Sequence, residues 1–134
     1  MRKPATTWAL LVILLSVPAG KAAEKRRIPC KTPANALSCY WTHGRLAFYN
    51  GTPAYRLWKV GTHRLLGIYS GPSVDRLSLD NENPELPASI YRVYDPAVGG
   101  LLFGDFEVCP LEPEVAGAMQ AACIESARNL LLRR

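Results

Sequence analysis

Four cysteines, Cys30, Cys39, Cys109 and Cys123, constrain this chain more than any other feature. An even number of cysteines in a small exported domain reads as two disulfides. Three pairings are open, and the sequence does not choose among them. The favoured expectation is Cys30–Cys39 with Cys109–Cys123, because each closes a short loop. A closed loop of about 15 residues contributes roughly 3 kcal/mol in the chain-entropy account.

Export is expected from the N-terminus. Arg2 and Lys3 precede an uninterrupted apolar run, Trp8 to Val17, and small residues follow at Ala19, Gly20, Ala22 and Ala23. The run is too short for a bilayer, which needs roughly 20 residues, but suits the apolar region of a signal peptide. The expected organisation is a signal peptide over 1–22, an extended basic and Pro-rich lead-in over 23–38, and a single β domain over 39–132. Cleavage is expected within 19–23, leaving a secreted or periplasmic protein with no stable membrane span. Hydrophobic residues make up 49% of the chain, so a folded core is expected rather than a disordered one.

The formal charge of +5 is misplaced for a nucleic-acid binder. From Thr32 to Leu132 there are seven Lys/Arg and ten Asp/Glu, a net −3, and the remaining basic residues lie at the two ends. Nucleic-acid recognition wants a basic face on the folded domain, so that class is set aside. A basic arm touching anionic lipid or envelope polymer is the other use of the N-terminal cations, against a simple solvated tail.

Strand signals start near Cys39. "YWTHGRLAFYN" ends in Asn50-Gly51, a turn signal, and "AYRLWKV" alternates. Tyr55 and Leu57 fall on one face of it; Arg56, Trp58 and Val60 fall on the other. "HRLLGIY" reads as the returning strand, "SIYRVYDP" alternates again, and "LLFGDFEVCPL" reads as a core strand. Pro72, Pro84 and Pro87 make the segment between Gly71 and Ala88 a loop. The C-terminal stretch has helix-forming composition, but a helix would carry Cys123 away from Cys109. A hairpin with Glu112 to Ala118 as its loop sets Cys109 against Cys123 and Val108 against Ile124. The hairpin is preferred; a helix packed on the sheet is the alternative, and Leu130 to Arg134 are expected to fray. The fold class is therefore mainly β, a small disulfide-stapled antiparallel β-sandwich or open barrel.

"GRLAFYNGTPAYRLW" and the later "FGDFEVC" resemble the transthyretin-like and carboxypeptidase-regulatory type of β-sandwich. The matching residues are His43, Gly44, Arg45 and Leu46, then Gly51, Pro53, Ala54, Leu57 and Trp58, then Gly104 and Phe106. The resemblance implies a prealbumin-like sandwich. That fold carries no single activity, so no site residue is transferred from it.

No G-x-S-x-G elbow, H-E-x-x-H or P-loop occurs, and there are two histidines, His43 and His63. No catalytic residue, cofactor or metal site is assigned. If the cysteines were reduced, Cys39 with His43 would be the thiol pair to test. The hairpin register sets Glu107 opposite Glu125, a carboxylate pair that could act as acid and base or hold a cation. Asp80, Glu82 and Glu85 offer oxygens but lack the spacing of a calcium loop. Asn50-Gly51-Thr52 has the form of a glycosylation sequon that a turn already explains. Tyr49, Arg56 and Trp58 form a candidate binding patch if their face is exposed, since Trp and Arg dominate recognition surfaces. A strand tryptophan is more often core, and that reading of Trp58 is preferred. The expected function is an exported, non-enzymatic binding or structural module for a protein or envelope component. The alternative is a small secreted hydrolase-type or metal-binding enzyme using Glu107/Glu125 or the histidines.

Overall fold

Alternation and turns locate the first three strands. Gly61 adopts φ 81°, a left-handed conformation that glycine takes without a Cβ clash, and reverses the chain after "AYRLWK". The computed structural model describes residues 26–77, 80 and 82–134. The signal-peptide and cleavage-site expectations fall outside the described residues. Among the described residues five strands form: β1 Tyr40–Phe48, β2 Tyr55–Lys59, β3 Leu65–Ile68, β4 Leu101–Pro110 and β5 Gln120–Arg133. A 3-10 turn, Ala36–Ser38, precedes β1, and a short helix, α1 Ala88–Tyr91, lies between β3 and β4.

The protein is mainly β and disulfide-stapled, as expected, but the sheet does not split into a sandwich. It closes on itself in the order β1-β2-β3-β5-β4. Every pairing is antiparallel except β3 with β5, which is parallel, so the barrel is mixed. Closure is possible because the long β1 serves two neighbours. Gly44 to Phe48 pair with β2, and Tyr40 to Leu46 pair with β4. The inward side chains then fill one core, with Leu46, Leu57, Leu102, Phe106, Val108 and Ile124 fully buried. Gly44 leaves room for this filling, since a Cβ there would come within 2.6 Å of Leu57 Cδ1.

The C-terminal hairpin is present, and next to its loop it has the expected register. Val108 faces Ile124 and Cys109 faces Cys123. Helix propensity in "AMQAAC" gives way because Ala122 and Ile124 bury against the barrel core. The expected fraying of Leu130 to Arg134 is not seen: Leu101 pairs with Arg133 and Leu102 with Leu132. "SIYRVYDP" is not a strand. Leu86, Ile90 and Tyr94 recur every four residues, and all three are buried, so a helical period wins over the apparent alternation.

The disulfides are Cys30–Cys123 and Cys39–Cys109, not the two local pairs that loop length favours. Cys109 lies on β4 between two neighbours. The β1 ladder ends at Tyr40 opposite Val108, which brings Cys39 alongside Cys109, 4.1 Å away at Cα. The hairpin argument sees only the β5 neighbour. Both bonds close long loops, with separations of 93 and 70 residues. Each restrains the unfolded chain by about 4–5 kcal/mol in the chain-entropy account, more than a local pair would.

Part of the basic lead-in is a strap rather than a tail. Arg26 donates to the carbonyls of Ile28, Ser70, Glu85 and Ile124, at 2.5–3.0 Å. The Arg27 and Ile28 amides donate to the Glu85 carboxylate at 2.7 Å each. Gly71 lets the strap lie close: a Cβ there would sit 2.2 Å from the Pro29 carbonyl oxygen. Cys30 then bolts the strap to β5.

Candidate functional site

The β2 alternation decides where Trp58 goes. Tyr55 and Leu57 are buried in the barrel, so Arg56 and Trp58 project from its outer wall. The reading of Trp58 as a central core residue is therefore corrected. Register adds its neighbours: Arg45 on β1 and Leu65 on β3 both pair with Trp58 and share its face. Tyr49, just past β1, and His63, in the β2–β3 turn, border the same concavity of about 510 Å³. The structure thus brings together the three residues of the expected patch, Tyr49, Arg56 and Trp58. Arg45, His63 and Leu65 were missed. The signal for Arg45 was available, because an odd-numbered β1 residue flanked by the inward Gly44 and Leu46 must point outward.

Two guanidiniums lie over two rings. Arg45 Cζ sits 4.9 Å from the Trp58 ring centroid, and Arg56 Cζ sits 5.1 Å from that of Tyr49. Such contacts contribute about 0.5–1 kcal/mol each at exposed sites. Other polar groups are already engaged. The Trp58 indole donates to the Thr62 carbonyl at 2.8 Å, and Arg56 Nε donates to the Pro53 carbonyl at 3.2 Å. The Thr62 hydroxyl donates to the Lys59 carbonyl and accepts from the Arg64 amide. Arg45 Nε differs: it is buried and has no hydrogen-bond acceptor among the described residues. Among the described residues, no carboxylate lines the concavity. The wall therefore presents cationic donors and apolar surface beside the Tyr49 hydroxyl and the His63 ring.

A larger hollow of about 690 Å³ lies between Tyr69, the 71–77 loop and Leu111. Its arginine, Arg76, is already paired with Glu112. The Glu112 carboxyl also accepts from the Ala121 amide, and that bond, with Arg76, holds it below the usual carboxylate range. This hollow offers a ligand less free charge than the Arg45/Trp58 groove.

The carboxylate pair is not as expected. A bulge between Glu107 and Val108 sets Glu107 opposite Ser126, so Glu125 is the extra residue rather than its partner. Lys31 of the strap bridges them: its Nζ is 2.7 Å from Glu107 Oε1, and its amide donates to Glu125 Oε2 at 2.9 Å. The ammonium is correspondingly held above its usual pKa by Glu107. Glu107 and Glu125 thus serve as the strap's anchor.

The histidines have separate surroundings. His43 Nδ1 lies 3.1 Å from Asp105 Oδ1, and Asn129 donates to the other Asp105 oxygen at 2.8 Å. Those two contacts, Asn129 first, hold the Asp105 carboxyl below its usual range. His63 instead borders the arginine groove. Among the described residues, one group has metal-ligand geometry, Cys30, Cys109 and Cys123, and all three are disulfide-bonded. Of the acidic loop, Glu85 holds the strap, and Asp80 accepts from the Ser70 amide and hydroxyl.

No protein-family model matches the chain, and neither a curated protein nor a solved structure matches it.

Proposed function

We propose that this chain is an exported, non-enzymatic binding module that holds a protein or envelope component in the groove on the outer wall of β1–β3. One observation carries the reading: two guanidiniums lie over two aromatic rings in a concavity that, among the described residues, no carboxylate lines. Lys31, Arg64 and Arg76 each meet a carboxylate, whereas among the described residues the lining of this concavity brings none to Arg45 or Arg56. Arg, Trp and Tyr are the residue types that concentrate binding energy. Export rests on the leader-like N-terminus, and two disulfides are compatible with an oxidising compartment.

Architecture supports the location. The strand order and closure are similar to five-stranded Greek-key barrels of the OB type, which bind along strands 2 and 3 and the adjoining loops. That likeness is an analogy of scaffold and names no ligand.

The enzyme alternative retains one specific support. A histidine oriented by a carboxylate, as His43 is by Asp105, is the arrangement a general base needs. The two readings part in one experiment. Isotope-labelled protein is titrated with solubilised envelope material while amide shifts are followed. Binding at the groove shifts residues 45, 49, 56 to 58 and 63, and Trp58→Ala abolishes the shifts. Shifts centred on His43 and Asp105, with cleavage of the added material, would replace the binding-module reading with the enzyme.

A further inference from the structure

We propose that the four cysteines form a thiol–disulfide exchange relay: an external dithiol enters at Cys39, the hairpin strands β4 and β5 become joined through Cys109 and Cys123, and the strap is unbolted. The relay is independent of the groove.

The Sγ atoms of Cys30, Cys109 and Cys123 all lie within 4.8 Å of one another, although they belong to two different bonds. Cys39 packs against the same cluster. Cys109 therefore stands beside a disulfide in which it takes no part. It is also the register partner of Cys123 across β4 and β5. Residues directly opposite on antiparallel strands stand about 4.5–5.5 Å apart at Cα, within the span of a disulfide. A Cys109–Cys123 bond thus needs side-chain rotation and no change of register. The folded protein holds a different pairing and keeps this one within reach.

Accessibility gives the relay its direction. Cys30, Cys109 and Cys123 are 0% exposed, whereas Cys39 is half-buried and follows the exposed Leu37 and Ser38. A thiolate arriving from solvent meets Cys39 first. Its attack on Cys39 Sγ breaks Cys39–Cys109, forms a mixed disulfide at Cys39 and expels the Cys109 thiolate. Burial keeps that thiolate basic, and a basic thiolate is a strong nucleophile. It attacks Cys123 Sγ, forms Cys109–Cys123 and expels the Cys30 thiolate. The second thiolate of the dithiol then attacks its own sulfur in the mixed disulfide and releases Cys39. The dithiol leaves as a cyclic disulfide, and its two protons end on Cys30 and Cys39. One protein disulfide has been reduced and the other has moved.

The consequence is mechanical. The β4–β5 hairpin, which carries Phe106, Val108 and Ile124 of the core, stays stapled. The strap keeps only the Arg26 bonds and the contacts to Glu85, Glu107 and Glu125, none of them covalent.

The test is partial reduction of the full mature chain with dithiothreitol, followed by acid quenching, alkylation and a peptide map at successive times. The first species expected has Cys109 joined to Cys123, with Cys30 and Cys39 alkylated. In it, hydrogen-exchange protection of the Arg27 and Ile28 amides falls while that of β4 and β5 is kept. A first species with Cys30–Cys123 intact and Cys39 and Cys109 alkylated, persisting until full reduction, overturns the relay. So does loss of both bonds together. A first species with Cys39–Cys109 intact overturns entry at Cys39, and a Cys109–Cys123 species with protected strap amides overturns the unbolting. A Cys39→Ser/Cys109→Ser variant lacks the internal attacker. Its Cys30–Cys123 bond is expected to open roughly tenfold or more slowly than in the parent, because an adjacent nucleophile outpaces one from solution. Equal opening rates overturn the relay. The parent map decides alone if the variant does not fold.

Discussion

The strap and the groove are both built from basic residues, and they use them in opposite ways. In the strap, Arg26 donates to four backbone carbonyls, and Lys31 meets Glu107 and Glu125. Burial lowers the Arg26 pKa, and the nearby Glu125 and Glu85 charges work against that shift. In the groove, Arg45 and Arg56 rest on rings, and among the described residues no acid lines the concavity. Residues of one type thus hold the fold at one place and remain available at the other. The difference lies in what each guanidinium touches, and it predicts that stability and binding are separable by mutation.

The largest expected effect is on the strap. Removing its bolt in a Cys30→Ser/Cys123→Ser variant is expected to lower unfolding free energy by about 4–5 kcal/mol in the chain-entropy account, read by urea titration. A peptide map without reduction should recover the Cys30–Cys123 and Cys39–Cys109 peptides from the parent protein. Recovery of Cys109–Cys123 instead would detach the strap from β5 and remove one side of the comparison.

Next comes the direct contrast of arginines. Arg26→Ala strips charged donors from four carbonyls and is expected to destabilise by about 2–4 kcal/mol, since one such bond is worth about 1.5–3 kcal/mol. Arg45→Ala and Arg56→Ala each lose a ring contact worth about 0.5–1 kcal/mol and should leave the melting curve nearly unchanged. Equal losses at all three would mean that the groove arginines are structural, and the comparison would collapse.

The smallest effect is a local one with pH. Partial burial raises the Glu85 pKa, but the Arg27 and Ile28 amides and the Arg26 and Arg27 charges outweigh it, so the carboxyl is held below its usual range. A depressed folded-state pKa contributes stability that is present above the unfolded value and is lost as pH falls through the folded one. Hydrogen-exchange protection of the Arg27 and Ile28 amides is therefore expected to drop below the ordinary carboxylate range while the barrel stays protected. Glu85→Gln should remove that step. Unchanged protection across the range in the parent protein would show that Glu85 does not fasten the strap.

Much of this organisation is readable along the chain, because strand alternation is local. Tyr55/Leu57 against Arg56/Trp58 divides inside from outside once either side is assigned, and the hairpin register follows from Val108 and Ile124 both being apolar. Even the patch residues Tyr49, Arg56 and Trp58 group together on sequence alone, since two lie on one strand face and the third lies just across the turn. Helix α1 is a different case. Leu86, Ile90 and Tyr94 carry its period, but Tyr91 and Val93 mimic alternation, and only burial distinguishes the two.

The sequence by itself determined the alternation of β2, the turn at Gly61 and that four cysteines staple a small β body. Tertiary structure decided which way the β2 face points, that the sheet closes into one barrel, and which cysteines join. It also decided that Glu107 and Glu125 meet Lys31 rather than a substrate. The physical reason is the range of each interaction. Pleat and turn conformation are set by neighbours along the chain, whereas Cys109 has Cys39 on one side and Cys123 on the other only after β1, β4 and β5 lie side by side.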